Sequence, residues 1–288
     1  MNRRRDQPRT PASVIFSVIL AFAIMAAGGV LHVYFKNRQI QVRREIDAID
    51  DQILALLERR FVATGRVKAS KAQDGSIASS PFRPSREATM LRRLIAQGGA
   101  DVSPDVVVRL WRVILSASTQ GQAPVTLHLD QSLGNGLETR LLVGQHFCGM
   151  PIELHGSPSA ALAALRHAKG DLAIAGAGTD WAQDFSPAEK GSARVIGTLP
   201  VISGGTQPQL LVFGHAEPRE SGDDETLILS PGEAPALASS LWQVAAGRFT
   251  LTSLPGFLSE DAVFRGSAQF PPDACIAGRC PRPIKVLP

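Results

Sequence analysis

An uninterrupted apolar stretch near the N-terminus, residues 13–35 (SVIFSVILAFAIMAAGGVLHVYF), constrains this chain most strongly. It contains no Asp, Glu, Lys or Arg, and as a helix it is long enough to cross the roughly 30 Å hydrocarbon core of a bilayer. We therefore predict a membrane anchor over residues 1–36. A cleaved signal peptide is the alternative, because arginines at 3–5 precede the stretch and small residues at 26–28 lie near a possible cleavage point. The apolar stretch continues to Phe35, beyond the roughly 7–15 residues of a signal h-region, and this favours the anchor.

The charges that flank the stretch do not fix its orientation. Basic residues stand on both sides of it, namely Arg3, Arg4, Arg5 and Arg9 before it and Lys36, Arg38, Arg43 and Arg44 after it. The bias that places the more basic side in the cytoplasm therefore cancels. We expect a single-pass inner-membrane protein with its main part in the cytoplasm, and a periplasmic location remains the alternative.

The composition of the chain argues against two classes of partner. The net charge is only +4, there is one tyrosine, and the basic residues are dispersed, so no nucleic-acid binding is expected. The cysteines, Cys148, Cys275 and Cys280, have no zinc-ligand spacing, and the six histidines are scattered, so no metal is expected either. Cys275 and Cys280 either form a small disulfide or, as we favour, remain inert thiols.

Three helices are predicted after the apolar stretch. Apolar residues recur every three to four positions over residues 46–67, which predicts a helix over residues 36–72. A loop rich in Ser, Pro and Gly over residues 75–85 separates it from a second helix, which is capped by Ser85 and ends near Gln97. A third helix over residues 103–120 begins with a serine cap followed by proline.

From residue 123 the pattern changes to short β-like runs separated by Gly, Pro and Asp, which predicts an α/β domain over residues 123–288. The predicted strands are residues 125–129, 172–175, 195–202, 210–213 and 226–229. Helices are predicted over residues 158–168 and 234–246.

Three cations, Arg43, Arg60 and Lys71, interrupt the apolar stripe of the first of these helices. A buried cation needs a partner, because desolvation of an unpaired charge is costly. Either these side chains reach out to solvent from the edge of a coiled coil, or they face a site that binds an anion. The spacing alone leaves both interpretations open.

Four sequence features occur in order along this region: RREIDAIDDQILALLERR, Lys71, RPSREATMLRRLI and SPDVVVRLWRVILSAS. Together they resemble the all-helical class of chorismate mutases. The resemblance implies a three-helix domain over residues 37–122, an intertwined homodimer, and conversion of chorismate to prephenate without metal or cofactor. The substrate-binding residues that it implies are Arg43, Arg60, Lys71, Arg86, Glu87, Ser118 and Gln122.

The implied reaction is unimolecular, so the site has to fold the substrate into a reactive shape and stabilise developing charge; no nucleophile is needed. The resemblance assigns Arg43 and Arg60 to the substrate carboxylates, which the planar guanidinium matches. Lys71 and Gln122 would bind the ether oxygen as its bond to carbon breaks. Arg43 would reach the site from the other subunit.

The resemblance assigns Glu87 to the ring hydroxyl, and Arg86 and Ser118 to orientation of the substrate or of neighbouring groups. Some members of the family carry an acidic residue three positions before the Arg-Glu pair, where this chain has Arg83. That departure affects recognition of the hydroxyl and affinity rather than the rearrangement itself.

A fainter resemblance links residues 210–214 (LLVFG), 222–226 (GDDET) and 234–237 (APAL) to prephenate dehydratase and its regulatory amino-acid-binding segment. The catalytic Thr-Arg-Phe of that family would precede the first of these segments. Here the matching positions read Pro208-Gln209-Leu210. We therefore expect a degenerate domain without dehydratase activity.

Two other functions remain as alternatives: a structural protein that pairs through a parallel coiled coil, and an inactive mutase-like sensor of an aromatic ligand. Mutases of the resembled class pair their first helices antiparallel, whereas two spans in one bilayer enter it from the same side. We therefore predict a break in the helix between Lys36 and Gln41, at Asn37. The parallel coiled coil predicts an unbroken helix.

Overall fold

The computed structural model describes residues 12–73, 81–99, 101–185, 192–202, 207–233, 237–265 and 270–285, and for residues 71–73 and 184 it describes the backbone only. The chain divides into two units, Met1–Val62 and Ala63–Pro288. One helix, α1, runs from the first unit into the second.

Helix α1 extends without interruption over Ala12–Gln73, 62 residues. Its most apolar window has a mean hydropathy of 2.6 and is wholly exposed, so this part is long and apolar enough to cross a membrane, as an N-terminal signal sequence also would be. The predicted break between Lys36 and Gln41 is wrong, because all of these residues are helical. Asn37 lowers helix propensity by well under about 1 kcal/mol, which is too little to interrupt a long helix.

Two shorter helices begin the part of the second unit that follows α1. Helix α2 is Pro84–Gln97 and helix α3 is Pro104–Gln122. The predicted cap of α3 is confirmed, since the Ser103 hydroxyl accepts a hydrogen bond from the Val106 amide at 3.4 Å. The predicted cap of α2 is wrong: the N-cap is Arg83, two residues earlier, and the Ser85 hydroxyl donates to the Arg219 carbonyl at 2.6 Å.

The described C-terminal residues form a nine-stranded mixed sheet in the order β2-β1-β3-β5-β4-β9-β6-β8-β7. The strands are β1 Leu127–Asp130, β2 Ile152–His155, β3 Leu172–Gly176, β4 Arg194–Leu199, β5 Leu210–Gly214, β6 Asp224–Pro231, β7 Trp242–Ala246, β8 Phe249–Pro255 and β9 Cys275–Pro281. The helices among them are α4 Gln131–Asn135, α5 Leu137–His146 and α6 Pro158–Ala164, with a 3-10 turn at Trp181–Asp184 and a π-helical turn at Asp261–Arg265.

The two faces of the sheet bury separate apolar cores. Alternate residues of β3 show the division: Ala173 and Ala175 belong to the core that contains Trp181 and Phe213, whereas Ile174 belongs to the core that contains α5. Successive side chains of a strand point to opposite faces of the sheet, so a strand buried on both faces contributes to both cores.

All five predicted strands overlap observed ones, but the helix predicted over residues 234–246 is wrong. Its described C-terminal end is strand β7, which pairs antiparallel with β8 through a turn where Gly247 has φ +61°. The alanine-rich composition suggested a helix, but pairing with β8 and burial of Trp242 and Ala246 determine the structure instead. Strands β2, β8 and β9 were not predicted from the sequence.

The thiols Cys275 and Cys280 are both free, as favoured from the sequence. They lie on the single extended strand β9. Five residues of strand span about 16 Å, whereas the Cα atoms of a disulfide are usually about 4.4–6.8 Å apart. The strand therefore prevents the disulfide.

The two halves of the sheet join where strands β4 and β9 pair. Strands β4 and β9 are parallel, and Val195 opposite Gly278 is their register pair. A Cβ atom on Gly278 would overlap the backbone carbonyl of Val195. Only glycine permits this approach of the two backbones.

We predict that Gly278→Ala destabilises the chain by at least about 2 kcal/mol, because the added carbon meets backbone that cannot move aside as a flexible side chain does. Gly144→Ala is the matched control: Gly144 lies on α5 with nothing within 4 Å of its added Cβ, so this change leaves stability unchanged or raises it. Urea unfolding of both variants in detergent provides the comparison, and equal midpoints would contradict the prediction.

Candidate active site

Two of the predicted site residues lie on α1 in the first unit. Arg43 is exposed and Arg60 is half-buried. At 1.5 Å per residue they stand about 26 Å apart along the helix. Two cations at that distance cannot bind the same small dicarboxylate, so each would serve a different substrate molecule.

The C-terminal end of α1 belongs to the second unit. Lys71 lies in its last turn, and its side chain is outside the described part of the structure. One turn earlier, the Lys68 ammonium donates to the Gly121 carbonyl at 3.1 Å. This contact holds the last turns of α1 beside the last turn of α3, which carries Gln122.

The first turn of α2 carries Arg86 and Glu87, which have opposite exposure. Arg86 points to solvent, whereas Glu87 is 7% exposed. The Glu87 amide donates to the Arg83 carbonyl at 3.0 Å, so Arg83 supports the start of the helix through its backbone. Proline at the first helical position fixes where this turn begins, and thereby which of the two side chains faces inward.

Glu87 forms an ion pair with Arg112 of α3, with 2.9 Å between Oε2 and Nη1. Arg112 Nε is buried without a hydrogen-bond partner. Burial raises the pKa of the Glu87 carboxyl, and the neighbouring guanidinium opposes that rise. The guanidinium therefore keeps one unused donor at Nε.

Arg112 also contacts His146 at the end of α5, with 3.0 Å between Nη1 and Nε2. A guanidinium can only donate, so His146 accepts through Nε2 and its ring is neutral. Burial, followed by the charge of Arg112, holds the pKa of His146 well below its usual range. Arg112 thus joins α2, α3 and α5.

Neither Arg112 nor His146 was among the predicted site residues. Arg112 lies four residues after Val108 and four before Ser116, and all three are buried, so it interrupts an apolar stripe as the α1 cations do. The same criterion applied to α3 would have identified it. Nothing in the sequence pointed to His146, because its proximity to Arg112 arises from tertiary packing.

Ser118 and Gln122 lie one turn apart at the end of α3. The Ser118 hydroxyl donates to the Ile114 carbonyl at 2.7 Å, and the Gln122 side-chain amide donates to the Ser118 carbonyl at 3.2 Å. Ser118 is buried and Gln122 is half-buried. Both side chains can exchange these local bonds for bonds to a ligand, because the carbonyls are already helix acceptors.

A cavity of about 40 Å³ lies beside Glu87 in the second unit. Its walls include Phe82, Leu91, Arg112, His146, Thr198 and Ile284. A space of this size holds water, whereas ligand sites usually measure about 300–1,000 Å³. The cavity is therefore too small for an organic substrate. The residues that line it do not form a complete substrate site by themselves.

Residues 42–123 match the family model described as chorismate mutase type II. All of the predicted site residues fall inside the matched range. No curated protein and no solved structure matches the chain.

We predict that His146 makes the protein less stable in mild acid. Its folded-state pKa is lowered relative to an unfolded value of about 6.5, so the stability it contributes is present above that pH and is lost as the pH falls, by up to about 1.4 kcal/mol per unit. Urea unfolding between pH 7.5 and 5.5 measures this loss. The raised pKa of Glu87 acts with the opposite sign, so the quantity to compare is the difference between wild type and His146→Gln.

His167→Gln is the control, because His167 is exposed. This variant should keep the pH dependence of the wild-type free energy of unfolding. His146→Gln should lose the part of that dependence that comes from protonation of one imidazole. If the free energy of unfolding of His146→Gln changed with pH as much as that of the wild type, the buried neutral ring would not be the cause of the acid sensitivity.

Proposed function

We propose how the chorismate mutase type II domain at residues 42–123 binds its substrate, in which oligomer it acts and how the chain is attached to the membrane. The activity of such a domain is the isomerisation of chorismate to prephenate. The match to this family carries the assignment of the reaction. The chemistry and exposure of particular side chains support the residues, the dimer and the anchor.

Chorismate has two carboxylates and an enol ether, and its rearrangement breaks the ether bond within one molecule. In the proposed site Arg60, together with Arg43 of the partner subunit, binds the carboxylates and folds the molecule into its reactive shape. Lys71 and Gln122 donate to the ether oxygen, where negative charge develops in the transition state. These contacts are stronger in the transition state than in the ground state, as catalysis requires.

Glu87 is proposed to bind the ring hydroxyl, with Arg86 and Ser118 orienting the substrate or its neighbours. The observation that bears on this role is the ion pair between Glu87 and the buried Arg112. Arg112 would then act as a positioning residue, which fixes the carboxylate without contacting the substrate. A carboxylate oxygen accepts more than one hydrogen bond, so Glu87 can accept the hydroxyl while it stays paired with Arg112.

A homodimer with antiparallel α1 helices is proposed for two reasons. First, Arg43 and Arg60 are too far apart along α1 for one substrate molecule, so an arginine from each of two chains has to complete each site. Second, the apolar stripe of α1 is about half exposed in the single chain at Ile46, Ile49 and Ile53. An apolar stripe of this length is normally covered by a partner.

The N-terminal part of α1 is proposed to be a retained single-pass anchor in an inner membrane, with the mutase domain in the cytoplasm. Its hydropathy and full exposure support membrane insertion. A cleaved signal sequence has the same two properties. The C-terminal part is proposed to lack dehydratase activity, since Pro208-Gln209-Leu210 stands where a catalytic Thr-Arg-Phe would be needed.

The full chain in detergent, with a chelator present, should convert chorismate to prephenate, measured by the loss of chorismate absorbance in the ultraviolet. No metal is required, because the reaction has no step that needs one. A folded preparation with no rate above the uncatalysed background would refute the proposed site.

We predict that Lys71→Ala lowers the rate of the chemical step by at least about 100-fold, by analogy with removing one donor to a developing oxyanion. Helix content, measured by circular dichroism, should not change. Lys169→Ala is the control, since Lys169 is an exposed lysine of the C-terminal part and should leave the rate unaffected. A loss of only a few-fold in Lys71→Ala would mean that this lysine is an ordinary solvated charge.

We also predict that the α1 helices crosslink in the antiparallel sense. In a cysteine-free background, Ile46→Cys should crosslink poorly to itself and efficiently to Val67→Cys on a second chain, because antiparallel pairing places opposite ends of the domain part of α1 together. Both side chains are about half exposed and accessible to the reagent. Efficient Ile46–Ile46 crosslinking would exclude the site in which Arg43 acts on the partner's substrate.

A further inference from the structure

Two histidines and a glutamate meet on one face of the sheet at its β2 edge. Strands β1 and β2 are parallel, with His128 opposite Glu153 and Asp130 opposite His155. Register partners, and residues two apart on one strand, place their side chains on the same face. The Nδ1 atom of His128 is 2.9 Å from Nε2 of His155 and 3.7 Å from Oε2 of Glu153, and His155 Nε2 is 3.9 Å from Glu153 Oε1.

The carboxylate of Asp171, the residue just before the neighbouring strand β3, fixes the tautomer of His128. Asp171 Oδ2 lies 3.1 Å from His128 Nε2, and Asp171 Oδ1 accepts the Thr126 amide at 2.9 Å. A carboxylate accepts hydrogen bonds, so the ring proton of His128 is on Nε2. The lone pair of Nδ1 therefore points toward His155 and Glu153. Metal-binding histidines almost always donate their other N–H to a carboxylate, a carbonyl or water in this way.

We propose that His128, His155 and Glu153 bind a divalent first-row transition-metal ion, with Zn²⁺ as the representative, and that Asp171 orients His128 for this purpose. Around a tetrahedral zinc with bonds of about 2.0–2.2 Å, ligand atoms stand about 3.3–3.6 Å apart. The three observed separations lie on both sides of that value. Shifts of roughly half an ångström would complete the geometry around such an ion.

The ligand types select the class of metal. Two imidazoles with one carboxylate suit zinc and its neighbours, whereas calcium and magnesium prefer oxygen ligands alone. Three protein ligands leave a fourth position for water or a small ligand, as in zinc sites that are open rather than purely structural. Glu153, the most exposed of the three with 61% of its side chain accessible, leaves that position open to solvent.

The charge around the group also favours a cation. Asp130, which is opposite His155, is 3% exposed, and its Oδ2 atom has no hydrogen-bond partner. With Glu153 and Asp171, three carboxylates surround two imidazoles on this face. Buried negative charge without compensation is costly, and a divalent ion next to it offsets that cost.

Isothermal titration calorimetry tests this proposal on the full chain in detergent, stripped of metal with a chelator and titrated with Zn²⁺. We expect one tightly bound zinc per chain. Asp171→Asn should weaken binding by about 10–100-fold, as removal of a hydrogen-bond partner behind a metal ligand does. His155→Gln and Glu153→Gln should each weaken it further, because they remove ligands.

His167→Gln is the matched control, since it removes an exposed imidazole outside the group and should leave zinc binding unchanged. Glu153→Gln changes an exposed side chain, so it keeps the test decisive if a histidine variant fails to fold. Co²⁺ provides a second measurement, because a tetrahedral ion gives visible absorption that His155→Gln should abolish. The proposal is overturned if the wild type binds no zinc, or if His155→Gln and Glu153→Gln bind it as tightly as the wild type.

Discussion

The buried guanidinium of Arg112 determines how the helices around it pack. It stays charged at every relevant pH, so its surroundings have to supply acceptors. Glu87 from α2 and His146 from α5 do so, and these two helices therefore meet α3 at one charge. Removing one partner of such a pair costs about 3–5 kcal/mol, because the other charge remains buried and unpaired.

The same charge links packing to the proposed chemistry. It lowers the pKa of His146 and opposes the rise that burial imposes on the pKa of Glu87. The proton affinity of the carboxylate that we propose to bind the ring hydroxyl thus depends on a residue that does not touch the substrate. Because Arg112 also contacts α5, the C-terminal part contributes to the environment of the mutase residues.

Local sequence signals predicted much of the fold, and the errors lie where distant pairing overrides them. The caps and spacing of α3 were sufficient to place it, since both are set within a few residues. Strand β7 was predicted as a helix because its pairing with β8 is not visible in its own composition. The resemblance of residues 42–123 to chorismate mutases was recognisable for the same local reason: the motif residues occur in order along three helices. The His128, Glu153 and His155 group was not, because its members come from two strands whose register only the folded sheet defines.

Because α1 is unbroken, the proposed antiparallel dimer and the proposed membrane anchor make conflicting demands on the direction of this helix. Helix α1 is continuous over 62 residues, so no break separates its apolar part from the residues that follow. If two straight helices pair antiparallel through residues 42–73, their apolar ends point in opposite directions and cannot both cross one bilayer. If they pair in parallel, both ends enter the same bilayer, but Arg43 lies beside Arg43 of the partner and cannot complete the partner's site. Antiparallel crosslinks in the membrane-bound chain would therefore mean that α1 bends on assembly or that its apolar part is removed. Parallel crosslinks would mean that the carboxylate-binding role of Arg43 belongs to another cation of the domain.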